Sequence, residues 1–198
     1  MAIYHNNKKI VKIYHGNIPI TRSYHGGILI YKEFNILDYN LLTNCDLLID
    51  SNSDNVPDGF GYGQDITDKS LVNGILKFTA TAQWAQFNSP SAQTNIGDMI
   101  YFYGRVKASS PLVRVFTVSP TVSVYHTGSG NWELLSGISV RQNTSLIVYV
   151  SDNSSSLWTP IEVDYMGAIN ITDLVSRGIL PSGLTNEQYK TLLDSLIQ

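Results

Sequence analysis

The sequence predicts a mainly β protein. An antiparallel β-sandwich over residues 34–168 is preceded by a small β-meander over 1–33 and followed by a short C-terminal α-helix within 169–198. Three observations carry this. Between Asn35 and Gly167, about ten short apolar segments alternate with clusters of Asn, Ser, Gly and Pro. Their spacing, roughly ten to fourteen residues, suits a sandwich rather than strand–helix–strand units. At the front, Ile3-Tyr-His-Asn, Ile13-Tyr-His-Gly and Ser23-Tyr-His-Gly recur every ten residues. At the back, Tyr189, Leu192, Leu193 and Leu196 keep helical spacing.

Composition narrows the function classes. A chain of 198 residues has room for one good core plus appendages, or for two small domains. Its 43% hydrophobic and 15% charged residues, with 12 Tyr, suit a β-rich protein with a polar, uncharged surface. A net charge of −3 gives no electrostatic reason to expect nucleic acid as a partner. That charge is uneven. Residues 1–33 hold Lys8, Lys9, Lys12, Arg22 and Lys32 against Glu33, a net +4, and the remainder is −7. A strand edge guarded by lysines explains this more simply than a dedicated basic surface. Cys45 is the only cysteine, so no intrachain disulfide or cysteine metal site is expected, and its role is that of a small buried hydrophobe. No apolar run reaches the length of a membrane span. The start lacks an apolar leader core, so no signal peptide and no membrane insertion are expected.

Within the meander, turns are expected at His5-Asn-Asn-Lys, His15-Gly-Asn and His25-Gly-Gly, where Asn and Gly accept positive φ. Pro19 suits an edge strand or a bulge. A strip of four short strands cannot bury both faces. It should lie on the sandwich, on copies of itself, or on a larger particle. His5, His15 and His25 are either the consensus of a turn or, stacked on a symmetric trimer, imidazole ligands for a metal ion. The first reading is the simpler.

Sandwich strands are expected at 75–80, 84–87, 99–107, 112–118, 122–125, 132–140, 145–150 and 161–166, with 34–42 leading into the first. In the tail, Thr172 should cap a short helical turn that Gly178 stops. Thr185 and Gln188 form a capping box for the last helix, and Leu184 can staple onto Tyr189. So short an apolar stripe must pack on the sandwich or on a neighbouring subunit.

Several phrases carry resemblances. Asn40-Leu-Leu-Thr-Asn-Cys-Asp, then Pro57-Asp-Gly-Phe-Gly-Tyr62, resembles the opening of carbohydrate-binding jelly-roll modules, with Phe60 where that family has Trp. Gly128-Ser-Gly-Asn-Trp132 and Val163-Asp-Tyr-Met166 resemble later parts of the same family. The ten-residue repeat resembles short Ile-Tyr-x-Gly units of structural proteins of tailed bacteriophages, and Asn170-Ile-Thr-Asp-Leu resembles the tail of phage proteins bearing such a module. These resemblances imply a jelly-roll fold and a non-enzymatic virion protein: a fibre, decoration or tail component, homotrimeric through its N-terminal segment. It would contact other virion proteins and bind host or environmental glycans such as cell-surface polysaccharide. The alternative is a stand-alone carbohydrate-binding module of a polysaccharide-degrading system, with a small glycan hydrolase as a third reading behind it.

Sugar binding needs flat aromatic faces with amides and carboxylates at their edges. Among Phe60, Tyr62, Trp84, Phe87, Tyr101, Tyr103, Tyr125, Trp132 and Trp158, most are expected in the core. The binding set is taken as Trp84, Gln86, Tyr101, Tyr103 and Trp158, with Trp132 assigned to the core. In the loop 50–58, Asp50, Asn52, Asp54 and Asp58 offer oxygens at alternating positions, which suits either calcium or turn chemistry. The family resemblance adds Asp164 to a candidate structural calcium set. No catalytic site is expected. His126 is the only histidine outside the repeat, no phosphate-cradling Gly-Lys-Ser/Thr is present, and Glu133, Glu162 and Asp164 sit in strands that present acids to solvent.

Overall fold

The computed structural model describes residues 35–63, 65–83, 85–153 and 158–197, together with the backbone of six short strands in the first 34 residues. The chain divides into two units, Met1–Asp38 and Tyr39–Gln198.

The first unit contains three antiparallel hairpins. Strand β1 (Tyr4–His5) pairs with β2 (Lys8–Lys9), β3 (Ile13–His15) with β4 (Ile18–Ile20), and β5 (Arg22–His25) with β6 (Ile28–Lys32). His5, His15 and His25 face Lys8, Ile18 and Ile28, so each histidine closes its ladder with two residues left between. That is the length which favours primed turns, and Asn or Gly fills those positions. Among the described residues each hairpin pairs only within itself. The expected strip was of four short strands; among the described residues six short strands stand in this segment. Pro19, opposite Tyr14, is tolerated because β4 has a single partner strand. The metal reading of the three histidines concerns side chains outside the described residues.

A short 3-10 turn, Ile36–Tyr39, leads to the second unit. Its strands are β7 (Gly61–Tyr62), β8 (Ile66–Val72), β9 (Ile75–Ala80), β10 (Gln86–Asn88), β11 (Ala92–Gln93), β12 (Met99–Ala108), β13 (Val113–Thr117), β14 (Val122–Tyr125), β15 (Trp132–Val140), β16 (Ser145–Leu146), β17 (Val148–Asp152) and β18 (Thr159–Asn170). Two helices follow, α1 (Ile171–Ser176) and α2 (Asn186–Ile197). The front sheet has the order β14-β13-β17-β10-β7 and the back sheet β15-β12-β18-β9-β8; β11 pairs with β16 alone. All pairings are antiparallel. This is a β-sandwich.

Alternation along the strands builds the core. Phe87, Val113, Val115, Val148 and Val150 point inward from the front sheet, and Phe78, Ile100, Phe102, Val106, Ile161 and Val163 from the back. Phe60 stacks on Phe87 with ring centroids 5.2 Å apart. Each such fully buried side chain contributes roughly 1.5–3 kcal/mol of transfer free energy.

The short strands β7 and β11 and the longer β8 were not among the expected strands, and one expected strand is split. Strand β8 is an edge strand with mostly exposed positions and a register shift between Thr67 and Ser70, so Ile66-Thr-Asp-Lys-Ser shows no apolar period. The run at 145–150 is two strands: Leu146 pairs outside both large sheets, and Val148 starts β17 in the front sheet.

The tail covers part of the outer back sheet. Helix α2 carries the expected capping box: the Gln188 side chain accepts from Thr185 N (2.8 Å) and the Thr185 hydroxyl accepts from Gln188 N (3.3 Å). Asp194 accepts hydrogen bonds from Tyr101 Oη and Ser136 Oγ on the sheet below. Helix α1 is capped by Asn170, not Thr172; the Thr172 hydroxyl instead accepts from Met99 N at 2.8 Å. Among the described residues no helix is long and apolar enough to cross a membrane.

Candidate functional site

Residues two apart on a strand share a face, and directly opposed residues of paired strands share it too. On the front sheet the inward set includes Val113, Val115, Val148, Val150 and Phe87, so the outward set follows from register. Arg114 lies between Tyr125 and Ser151; Phe116 lies between Ser123 and Tyr149. Gln86 continues the first row opposite Ser151, and Asn88 continues the second opposite Tyr149, with Gly61 beyond it. One outward face therefore gathers rings, hydroxyls, two carboxamides and a guanidinium, with Arg114, Phe116 and Ser151 buried beneath its half-buried and exposed members.

The centre of this face is aromatic. Phe116 and Tyr149 stack with centroids 4.8 Å apart and planes within 19°. The Arg114 guanidinium lies 4.2 Å from the Phe116 centroid and 6.0 Å from that of Tyr125. Its Nε donates to Ser151 Oγ and its Nη1 to Ser123 Oγ, both at 3.2 Å. Tyr125, at the β14 edge, is the ring most open to solvent here, 44% exposed. Burial raises the Tyr149 hydroxyl pKa, which keeps that group a neutral donor.

The opposite margin is amide on glycine. A Cβ on Gly61 would lie 3.4 Å from the Asn88 amide nitrogen, and one on Gly63 would lie 2.9 Å from Gln86 Cγ. The sequence Gly61-Tyr-Gly63 thus leaves room for both amides, while Tyr62 turns inward against Phe87 at 5.3 Å. Chemically the face can stack on apolar sugar edges and exchange hydrogen bonds with hydroxyls.

The residues expected from sequence are scattered. Gln86 is on this face. Trp84, two residues earlier in the chain, lies outside the described residues. Trp158 is 63% exposed, but it lies just before β18 at the back sheet, where its backbone N–H donates to Ala80 O at 2.9 Å. Tyr101 and Tyr103 need correcting: they are 0% and 1% exposed. They point outward from the back sheet, but Tyr101 donates to Asp194 at 2.7 Å and Tyr103 Oη accepts from Asn40 Nδ2 at 2.7 Å. The tail covers the first and the Asn40 segment meets the second. Trp132 also departs from its core assignment. It is half-buried on the outer back sheet, with the Arg105 guanidinium 5.3 Å from its ring.

The expected calcium residues form turns. Asp50 accepts from the backbone N–H of Asp54 and Asn55, Asn52 from Asp54 N, Asp54 from Val56 N, and Asp58 from Ser51 N. Asp164 pairs with Arg105 at 2.6 Å on the back sheet. Among the described residues no three His, Cys, Asp or Glu side chains gather as a metal-holding group.

The other acids are occupied too. Glu162 joins Lys77 at 3.5 Å and Lys107 at 3.3 Å. Glu133 accepts from Thr127 N at 2.9 Å, from the Thr127 hydroxyl and from Ser129 Oγ. Burial would raise its pKa, but these bonds lower it on balance. His126 is buried with Nε2 against Asn131 O (3.0 Å) and Nδ1 accepting from Gly128 N (2.8 Å), so it shapes a turn. Sequence reasoning missed Ser123, Phe116, Tyr149 and Asn88. Their signal was the alternate positions 86/88, 114/116, 123/125 and 149/151, legible only once strand pairing fixes which alternate is inward.

No family model matches the chain, and no curated protein matches it. Solved structures similar to it include a carbohydrate-binding module described under "CBM4 structure and function", with 16% identity and a TM-score of 0.49 over 65% of this chain and 99% of that one. A family 29 carbohydrate-binding module from Piromyces equi has 20% identity and a TM-score of 0.43 over 62% of this chain and 90% of its own. TmCBM61, solved with β-1,4-galactotriose, has 12% identity and a TM-score of 0.42 over 66% of this chain and 98% of its own.

Proposed function

We propose that this chain is a non-catalytic glycan-binding module whose front sheet holds a stretch of sugar chain. One observation carries the reading: Tyr125, Phe116, Tyr149, Gln86 and Asn88 share a single outward face with Ser123, Ser151 and Arg114. Neighbouring strands lie about 4.8 Å apart, so the five strands span roughly 19 Å, room for a short oligosaccharide laid across them. Rings supply stacking, and carboxamides supply a donor and an acceptor each for hydroxyls. Affinity electrophoresis of the full chain in gels containing soluble β-glucan, xylan, mannan or galactan tests this. Retardation in one of them, lost in Gln86→Ala/Asn88→Ala, supports the reading; unchanged mobility in all of them contradicts it.

A second reading, a self-associating structural component of a virus particle, draws on the first unit. Three hairpins at a ten-residue period are each too small to bury a face alone, and a second copy offers an equally periodic partner. Light scattering of the full chain beside one lacking residues 1–33 tests it: a trimer falling to monomer supports assembly through this segment. The sequence-based expectation put assembly first; the chemistry of the front sheet puts glycan binding first.

A further inference from the structure

We infer that Arg114 is the positioning residue of the front-sheet face, holding the Tyr125 ring in the pose that meets a sugar; this rests on the glycan-binding reading above. Arg114 bridges three strands. From β13 it reaches Ser151 on β17 through Nε and Ser123 on β14 through Nη1, while its Nη1 comes within 3.5 Å of Tyr125 Oη. Its planar group lies over Phe116, itself stacked on Tyr149. Arg114 is only 6% exposed, whereas Tyr125 is 44% exposed. The guanidinium is thus a buried tie between the Phe116 ring and Tyr125, and the exposed Tyr125 ring is the one in position to touch a ligand.

Tyr125 stands at the sheet edge, where β14 has one partner within the sheet, β13. An exposed ring on such a strand samples several rotamers unless something fixes its far end. The guanidinium does so, because its fork can serve hydroxyls on two neighbouring strands at once. A lysine ammonium at the same position keeps the charge but not the fork.

The test is a double-mutant cycle on the full chain, read by calorimetric affinity for whichever polysaccharide retards the wild type. Tyr125→Ala should weaken binding roughly tenfold, as expected for loss of a stacked ring and its hydroxyl contact. Arg114→Lys should weaken it by a comparable factor, and the double variant should be no weaker than Tyr125→Ala, since both changes remove one contribution. Losses that multiply, or wild-type affinity in Arg114→Lys, would overturn the inference. If Arg114→Lys does not fold, Tyr125→Phe decides. It removes only the hydroxyl near Arg114, on an exposed ring, and must weaken binding about threefold or more; wild-type affinity there overturns the inference. A wild type that binds none of the polysaccharides is a different failure, that of the glycan-binding reading itself.

Discussion

The Tyr101 hydroxyl donates a 2.7 Å hydrogen bond to the Asp194 carboxylate across ninety-three positions of sequence. Asp194 also accepts from Ser136 Oγ at 2.6 Å and from Lys190 Nζ at 2.7 Å, so one carboxylate ties helix α2 to β12 and β15. Burial alone would raise its pKa, but the bonds from Lys190, Ser136 and Tyr101 hold it below the ordinary carboxylate value. Burial and that same bond push the Tyr101 hydroxyl strongly up.

Asp194→Ala should therefore cost about 2 kcal/mol, since it leaves buried hydroxyls without their acceptor. That corresponds to a fall in Tm of about 4–8 °C for a domain of this size. Differential scanning calorimetry at pH 7 reads it directly.

The pH dependence follows from the sign of the shift. The folded pKa of Asp194 lies below its unfolded value, so its contribution is complete above about pH 4 and is lost as pH falls through the lower, folded value. The difference in Tm between the wild type and Asp194→Asn should be constant from pH 5 to 7 and narrow below about pH 4. A difference that widens on acidification would contradict this network.

Gly167→Ala should be among the most damaging single changes. A Cβ there would run into Asn40 Nδ2 and the Tyr103 hydroxyl, which bond one another, and into the ring carbon bearing that hydroxyl. Neither partner can retreat easily, because Tyr103 is buried and Asn40 also holds Ala168 N and Leu42 N. Overpacking of this kind costs about 3 kcal/mol, visible as a drop in urea midpoint or in soluble yield.

Gly63→Ala should separate stability from binding. Its Cβ would crowd the flexible Gln86 side chain and lie at ordinary contact distance, 3.4 Å, from the Gln86 carbonyl, so the loss of stability should stay under about 1 kcal/mol. The displaced amide should still weaken glycan binding by roughly threefold to tenfold, the scale of one lost hydrogen bond. Calorimetric titration beside a thermal melt checks both halves.

Trp132→Ala should do the reverse. The ring lies on the outer back sheet under Arg105, itself paired with Asp164. Removing it should cost about 1 kcal/mol through the cation–π contact and lost packing, with glycan affinity unchanged.

The sandwich was legible because alternating strands such as 99–107, 132–140 and 161–166 carry an apolar period that tertiary context did not override. The capping box of α2 was legible for a local reason, since both its residues lie within one turn. The binding face was not. Period-two alternation gives two faces and does not name the covered one. Tyr101 and Tyr103 share a face by alternation, but α2 and Asn40 take that side of the back sheet. The Asp/Asn loop carries two readings because side-chain oxygens that accept turn amides, as Asp50 and Asp54 do, are also of the type that ligates calcium.

The central claim is that glycan meets the front sheet, and backbone amide NMR of the titrated full chain tests it most directly. With an oligosaccharide of the polysaccharide that retards the protein, the largest shift changes should fall on Gln86, Asn88, Phe116, Ser123, Tyr125 and Tyr149. Shifts centred instead on Trp132 and Arg105, on Trp158, or on no residue at saturating sugar would contradict the account.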